Sequence, residues 1–316
     1  MVRARSGRRW LWALIGAFAV WALVRGLGLD RVTPLVQLIS YTPYVAVASV
    51  LPVLIALLLQ RWWEALVAVA VVAAFGAFVV PRVTAEPAGT GPGGRTLVVM
   101  TVNVLAGGAD TDRIMSLIRT EKPDLLSIQE LTGEAVARLD AAGIDGALPE
   151  RALRPRDGVS GTGLYSTFPL VEPRGLDERS TFDMARATMR TPGRDLDVVS
   201  VHTGPPLPGG PTQRWARDFD LLPRPASGGP LRILAGDFNA TLDHHRLRSL
   251  LGTGYRDAAD LVGAGLTPTW PRGHPLPPVT IDHVLVDDGI EVRSVDVFDV
   301  PRSDHRAVVA RLRLPA

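Results

Sequence analysis

The apolar residues of this chain fall into two patterns. Up to about residue 82 they run on almost without a break; from residue 96 they come in strand-length bursts separated by turns and amphipathic stretches. Three continuous runs, at about 10–29, 35–59 and 62–80, are long enough to cross a bilayer as helices. Arg25 interrupts the first run and can snorkel to the interface. Pro43 and Pro52 lie in the second and are tolerable in a membrane helix, and Gln60 and Arg61 leave only a tight turn before the third. Trp10, Trp62 and Trp63 stand at run ends, where interfacial aromatics belong. No small-residue cleavage site follows the first run, which disfavours a signal peptide. The chain therefore divides into a three-helix anchor at 1–82, a flexible Pro/Gly-rich linker at 83–95 and a folded domain at 96–316.

Within that domain, strand patterns are expected at about 96–104, 124–131, 161–166, 185–190, 196–203, 231–238, 279–286, 291–299 and 305–314. Helices fit at about 110–121, 132–141, 211–222 and 243–251, with Thr132 as an N-cap. Many strands and few helices predict two packed sheets flanked by helices.

Charge refines this picture in two ways. Arg3, Arg5, Arg8 and Arg9 precede the first run and hold the N-terminus in the cytoplasm. Three crossings then make a multi-pass cell-membrane protein whose domain is extracytoplasmic; if the first run did not cross, the domain would face inward. Eight of the 34 basic residues lie in 1–82 against two acidic ones, leaving the rest of the chain at about −4. The overall basic balance therefore belongs to the anchor, and the domain has no positive surplus with which to attract a polyanion. The absence of cysteine excludes disulfides, thiolate metal sites and cysteine nucleophiles.

Polar residues cluster at the ends of the expected strands. Residues two apart on a strand share a face, so Asp237 and Asn239 in the run LRILAGDFNA reach one site together while Phe238 packs the other way. A carboxylate and a carboxamide so placed can orient a water beside a phosphate. Asn103, Glu130 and His202 end other strands, each with a bland alternative: a turn residue, a cap partner of Thr132 and a core histidine. Asp282 lies in an apolar run, where a buried carboxylate needs a partner, and His305 is the natural one. An Asp–His pair fixes the imidazole tautomer and makes a competent acid–base or phosphate-binding group. His244 and His245, on an expected helix, should be solvated. Tyr165 and Trp270 read as packing residues at the rim, and Arg186 as a basic residue able to approach phosphate.

At these positions and in this order the chain resembles the endonuclease/exonuclease/phosphatase superfamily, which includes type I deoxyribonucleases, abasic-site endonucleases, neutral sphingomyelinases and inositol-polyphosphate 5-phosphatases. The motifs are VNV at 102–104, IQE at 128–130, His202, GDFN at 236–239, IDH at 281–283 and SDH at 303–305. The segment HTGPP at 202–206 and Thr269-Trp270-Pro271 look most like its membrane-anchored bacterial branch, some members of which are linked with glycopeptide (teicoplanin) resistance. Leu105 stands where abasic-site enzymes carry an aspartate, and Thr203-Gly204-Pro205-Pro206 follows His202, unlike the His-Leu common in the nucleases.

The resemblance implies a DNase I-like four-layer α/β/β/α sandwich behind the three transmembrane helices, with Mg²⁺ (or Mn²⁺) as cofactor. It implies Glu130 as the principal metal ligand, helped by Asn103 and Asp304. Asp237 would activate the water, with Asn239 holding it and a phosphate oxygen. His305, oriented by Asp282, and His202 would contact the phosphate and leaving group, with Asn103, Arg186 and Asn239 binding substrate. The expected function is an extracytoplasmic phosphodiesterase or phosphatase acting on lipid-linked or other envelope phosphates. A nuclease acting on DNA or RNA is the alternative, disfavoured by charge, and a non-catalytic binding module is the third reading.

Overall fold

The computed structural model describes residues 3–86, 94–173, 180–207, 212–225 and 228–315. Three helical stretches at its N-terminal end, Arg9–Leu27, Leu35–Leu58 and Trp62–Val83, are long and apolar enough to cross a membrane. The first lies in α1 (Arg3–Leu27). The second is a succession of pieces, α2 (Leu35–Leu38), a 3-10 turn, α3 (Thr42–Ala48) and α4 (Val50–Leu58), rather than the single helix its hydropathy suggests. Each proline in this run removes a backbone donor, which favours such segmentation. The third is α5 (Trp62–Val79), which ends in a 3-10 turn, Val80–Val83. Leu11, Ile15, Ala56, Ala65 and Ala68 pack the three stretches together.

The described residues after these stretches form two six-stranded sheets. One runs β11-β12-β1-β2-β4-β3, from β1 (Thr96–Asn103), β2 (Leu125–Gln129), β3 (Glu150–Arg154), β4 (Thr162–Ser166), β11 (Glu291–Asp299) and β12 (Arg306–Arg313). The other runs β5-β6-β7-β8-β10-β9, from β5 (Leu170–Val171), β6 (Arg186–Thr191), β7 (Arg194–His202), β8 (Leu231–Asp237), β9 (Tyr255–Asp257) and β10 (Asp282–Asp287). Helices α6 (Thr111–Glu121) and α7 (Gly133–Ala141) cover the first sheet; α8 (Thr212–Leu221) and α9 (His245–Leu251) cover the second, and α10 (Ala258–Leu261) follows β9. Thr132 caps α7 as expected, its hydroxyl accepting from Ala135 N, and Asp110 caps α6 in the same way. The strands not foreseen, β3, β5 and β9, are short or charge-bearing edges without a clean apolar alternation. The strand expected from 279 begins only at 282, because Val279 bridges to Trp270 instead.

Strand alternation places the site. Leu97 and Val99 on β1, Leu196 and Val198 on β7, Ile233 and Ala235 on β8, and Val284 and Val286 on β10 all enter the core between the sheets. Continuing the same parity to the strand ends brings Asn103, His202, Asp237 and Asp282 to that inner face. Just beneath them the filling turns polar: Ser127 Oγ donates to the Ala235 carbonyl and meets Ser200 Oγ at 2.9 Å, while Thr101 donates to Gln129. These bonds satisfy buried hydroxyls and tie the sheets together below the site.

The anchor touches the domain directly. Arg82, at the end of the third stretch, makes a two-toothed pair with the fully buried carboxylate of Asp243 at 2.7 and 2.8 Å, and Arg25 Nε adds a third contact at 3.1 Å. His244, expected in solvent, is buried: its Nε2 lies 2.8 Å from the Val36 carbonyl, and Trp215 packs edge-on against its ring. The start of the second apolar stretch covers it, which no pattern local to residue 244 reveals. His245 is half-buried, its backbone N–H donating to Asp30. The beginning of the linker is engaged as well, with Ala85 bridging Val262 and Glu86 N donating to Leu261 O; residues 87–93 lie outside the described residues.

Candidate active site

Three neighbouring strands carry the centre. His202 on β7 is in register with Asp237 on β8, and Asp237 with Asp282 on β10. Asp282 accepts from His305, with Nδ1 at 2.9 and 3.1 Å from its two oxygens, and its backbone N–H is held by Thr269 Oγ1. The carboxylate thus fixes the proton on Nδ1 and turns Nε2 toward Asp237 Oδ2, 3.7 Å away. His202 Nε2 approaches the same oxygen at 3.7 Å from the other side. Backbone bonds complete the frame: Ser303 Oγ donates to the Asn103 carbonyl and accepts from His305 N–H.

The two histidines are electrostatic opposites. Burial drives His202 down to about 3, and the charge of His305 pushes in the same direction. Its Nδ1 is enclosed and makes no hydrogen bond, and its Nε2 faces the site. Phe182 stacks on this ring at 4.4 Å and shields it from water. His305 goes the other way: burial opposes its charge, but Asp282 and Asp237 outweigh burial and hold it protonated well above the usual histidine range. Asp237 is raised, chiefly by burial and also by Asp282, which makes its carboxylate basic.

Asn103 bridges both carboxylates, its amide donating to Glu130 Oε1 and Asp237 Oδ2 at 3.1 Å each, while its oxygen accepts from Leu105 N. In this orientation it positions the carboxylates through its NH₂ rather than offering its oxygen as a ligand. Glu130 sits just past β2 with φ +58° and accepts from Ala106 N at 2.6 Å. Its pKa is raised, first by burial and further by the Asp304 charge. Leu105, Ala106 and Asn239 share positive φ, so left-handed backbone clusters at this site, at a cost of about 1–3 kcal/mol per residue. Asn239 is pinned by its own N–H to Asp237 Oδ1 and by Nδ2 to the Thr203 carbonyl, which leaves its side-chain oxygen as the group that can accept from a water.

Trp270 does more than pack: it donates Nε1 to Asp304 Oδ2 at 2.9 Å and fixes a carboxylate 34 positions away. Tyr165 is not at the rim but fully buried in the core under α6 and α7. Arg186 is not brought into the centre: its guanidinium donates to the Leu221 carbonyl at the end of α8, and β6 pairs it with Val199, three residues short of His202.

Glu130 and Asp304 have the donor chemistry that suits a divalent cation. Asp304 Oδ1 is buried without a hydrogen-bond partner and lies near enough to Glu130 to raise its pKa. Two like charges and an orphaned oxygen form a hard-donor set that a dication would satisfy. Single ligand atoms of Asp237, Asp282 and His305 also lie within 4.8 Å of one another, but His305, held protonated by Asp282, has no free lone pair to offer, so this trio is an Asp–His dyad beside a base rather than a cage.

The model of the endonuclease/exonuclease/phosphatase family matches residues 100–305. The chain belongs to this family. Its members are phosphoesterase hydrolases, and enzymes of this fold generally work with a divalent metal. Among solved structures, an endonuclease/exonuclease/phosphatase from Beutenbergia cavernae is 21% identical, with TM-score 0.55, covering 70% of this chain and 72% of that one. The 3′ phosphatase NExo from Neisseria, bound to a product DNA hairpin, is 19% identical at TM-score 0.54, covering 68% and 98%. D. rerio TDP2 complexed with a single-strand DNA product is 14% identical at TM-score 0.53, covering 69% and 99%. At these identities the likeness is one of fold. A search of curated proteins found no match. The family match begins at Met100, so the three apolar stretches lie outside it.

Proposed function

We propose that this family member is a membrane-anchored, Mg²⁺-dependent phosphoesterase whose extracytoplasmic site hydrolyses the phosphate of a lipid-linked substrate. The observation that carries the reading is the contact of the apolar stretches with the very loops that bear the catalytic groups. Asp243 follows Asn239 by four residues and pairs with Arg82 and Arg25; Gln37 donates to Pro206, just past His202; Tyr44 donates to Pro278, just before Asp282. A site framed this way works at the bilayer surface, where a membrane substrate is concentrated.

Glu130 and Asp304 would hold the metal, which supplies Lewis-acid neutralisation of charge on the phosphoryl oxygens. Asp237 takes a proton from a water that Asn239 orients through its side-chain oxygen. Protonated His305 faces the phosphoryl oxygens, its Nδ1–H committed to Asp282, and neutral His202 donates through Nε2 to an oxygen of the phosphate or leaving group. The outer-face topology rests on the arginines before the first stretch. Protease added to intact spheroplasts should cleave the domain; resistance until lysis would overturn this placement.

The site also fixes a pH profile. Asp237 must be unprotonated and His305 protonated, so kcat/KM rises as Asp237 loses its proton. It falls only at alkaline pH, above the ordinary histidine value of about 6.5, as His305 loses its own. His305→Ala should remove the alkaline limb and lower the rate by about 10²- to 10⁴-fold. An alkaline limb that survives in the variant would assign it to another group.

A further inference from the structure

A cavity of about 290 Å³ lies where the apolar stretches meet the domain. Small-molecule sites occupy about 300–1,000 Å³, so it has room for part of a long chain rather than a whole lipid. One wall is Pro43, Tyr44 and Val47 of α3 with Val79 of α5; the other is Leu242, Leu266, Pro278 and Val279 of the domain. Val47 is 77% exposed and Tyr44 44%, so the α3 wall reaches the outer flank of the bundle, which in a membrane is the lipid-facing side. The charged residues at the cavity, Arg82 and Asp243, are spent on each other.

Two of the segments that line the cavity continue into the strands that carry the catalytic centre. Thr280 lines the cavity two residues before Asp282, and Leu242 three residues after Asn239. Phe238 N–H donates to Ile281 O, so these two wall segments are adjacent continuations of β8 and β10. A chain spans at most about 3.3–3.6 Å per residue, which keeps Thr280 within about 7 Å of Asp282 along the backbone. The lining therefore lies within a few residues of Asp237 and Asp282 along the chain, and its α3 wall stands at the lipid-facing flank.

We propose that this cavity binds the first part of the apolar chain of a phosphate-bearing membrane lipid and so makes the enzyme select long-chain over water-soluble phosphates. The inference rests on the lipid-phosphate reading above. Leu266→Trp fills the domain wall, and Val47→Trp obstructs the outer flank without entering the domain core; neither residue belongs to the catalytic group.

The test uses full-length protein in detergent micelles with two diazirine-bearing probes, an isoprenoid monophosphate and a phosphatidic acid, and maps the adducts by mass spectrometry. Adducts are expected within 40–47, 241–243, 265–266 or 278–280 for the chain source that the site prefers. They should be reduced about tenfold or more by Leu266→Trp or Val47→Trp, the scale of losing a methylene's worth of pocket, and kept in Asp237→Ala. Adducts elsewhere, or undiminished in both tryptophan variants, overturn the cavity. Mapped adducts without hydrolysis of either lipid retain the cavity and remove the proposed activity. Hydrolysis with adducts elsewhere does the reverse.

Discussion

Asp237→Asn is expected to lower kcat by about 10⁴-fold or more while the protein stays folded, as a residue acting within a catalytic unit does. The carboxylate is the point on which the centre converges: Asn103 donates to it, Asn239 N–H donates to it, and both histidines face Oδ2 at 3.7 Å. Asparagine keeps the shape and cannot accept the water's proton. Burial already disfavours the charged form of Asp237, so removing the charge should leave the melting temperature unchanged or raise it. Circular dichroism melts beside single-turnover rates separate the two effects. A variant that keeps wild-type turnover would displace Asp237 from the role of base.

The second large effect is on stability. Asp243→Ala leaves Arg82, 5% exposed, and Arg25, 13% exposed, without their counter-charge, and breaking a buried pair this way costs about 3–5 kcal/mol. The loss should appear as a fall in melting temperature of the full-length protein. Asp243→Asn, which retains hydrogen-bond acceptance, should recover part of it. Activity should fall with the loosening of the 240–245 loop, since the pair braces the segment that leaves Asn239. An Asp243→Ala protein as stable as wild type would mean that the anchor and the domain do not depend on this contact.

These expectations differ in how far the sequence discloses them. Period-two alternation is a local property, so the inner-face parity that carries Asn103, His202, Asp237 and Asp282 to one place could be read strand by strand. The partnership of Asp282 with His305 followed from the cost of a lone buried carboxylate, and the 2.9 Å contact bears out that geometry. What stayed hidden depends on contacts distant in sequence. Trp270 looks like any rim aromatic until Asp304 is beside it, and His244 looks solvated until Val36 covers it. Arg186 was placed near phosphate by strand position alone, without the Leu221 carbonyl that holds its guanidinium. The resemblance implies Asn103 as a metal ligand; only the folded structure shows its NH₂ donating to both carboxylates while its oxygen accepts from Leu105 N. The second apolar run was long enough to cross a membrane, but hydropathy carries no signal for its division into short helical pieces.

The most direct test of the central claim is phosphate or alcohol release by the full-length protein in micelles from a polyprenyl pyrophosphate and a phospholipid, with nicking of plasmid DNA read alongside. Each substrate is offered with Mg²⁺ or with EDTA, beside an Asp237→Ala control. The account predicts turnover of a lipid substrate that EDTA and Asp237→Ala both abolish, with the plasmid left intact. Nicked plasmid with inert lipids would contradict it, and would make the protein a membrane-bound nuclease.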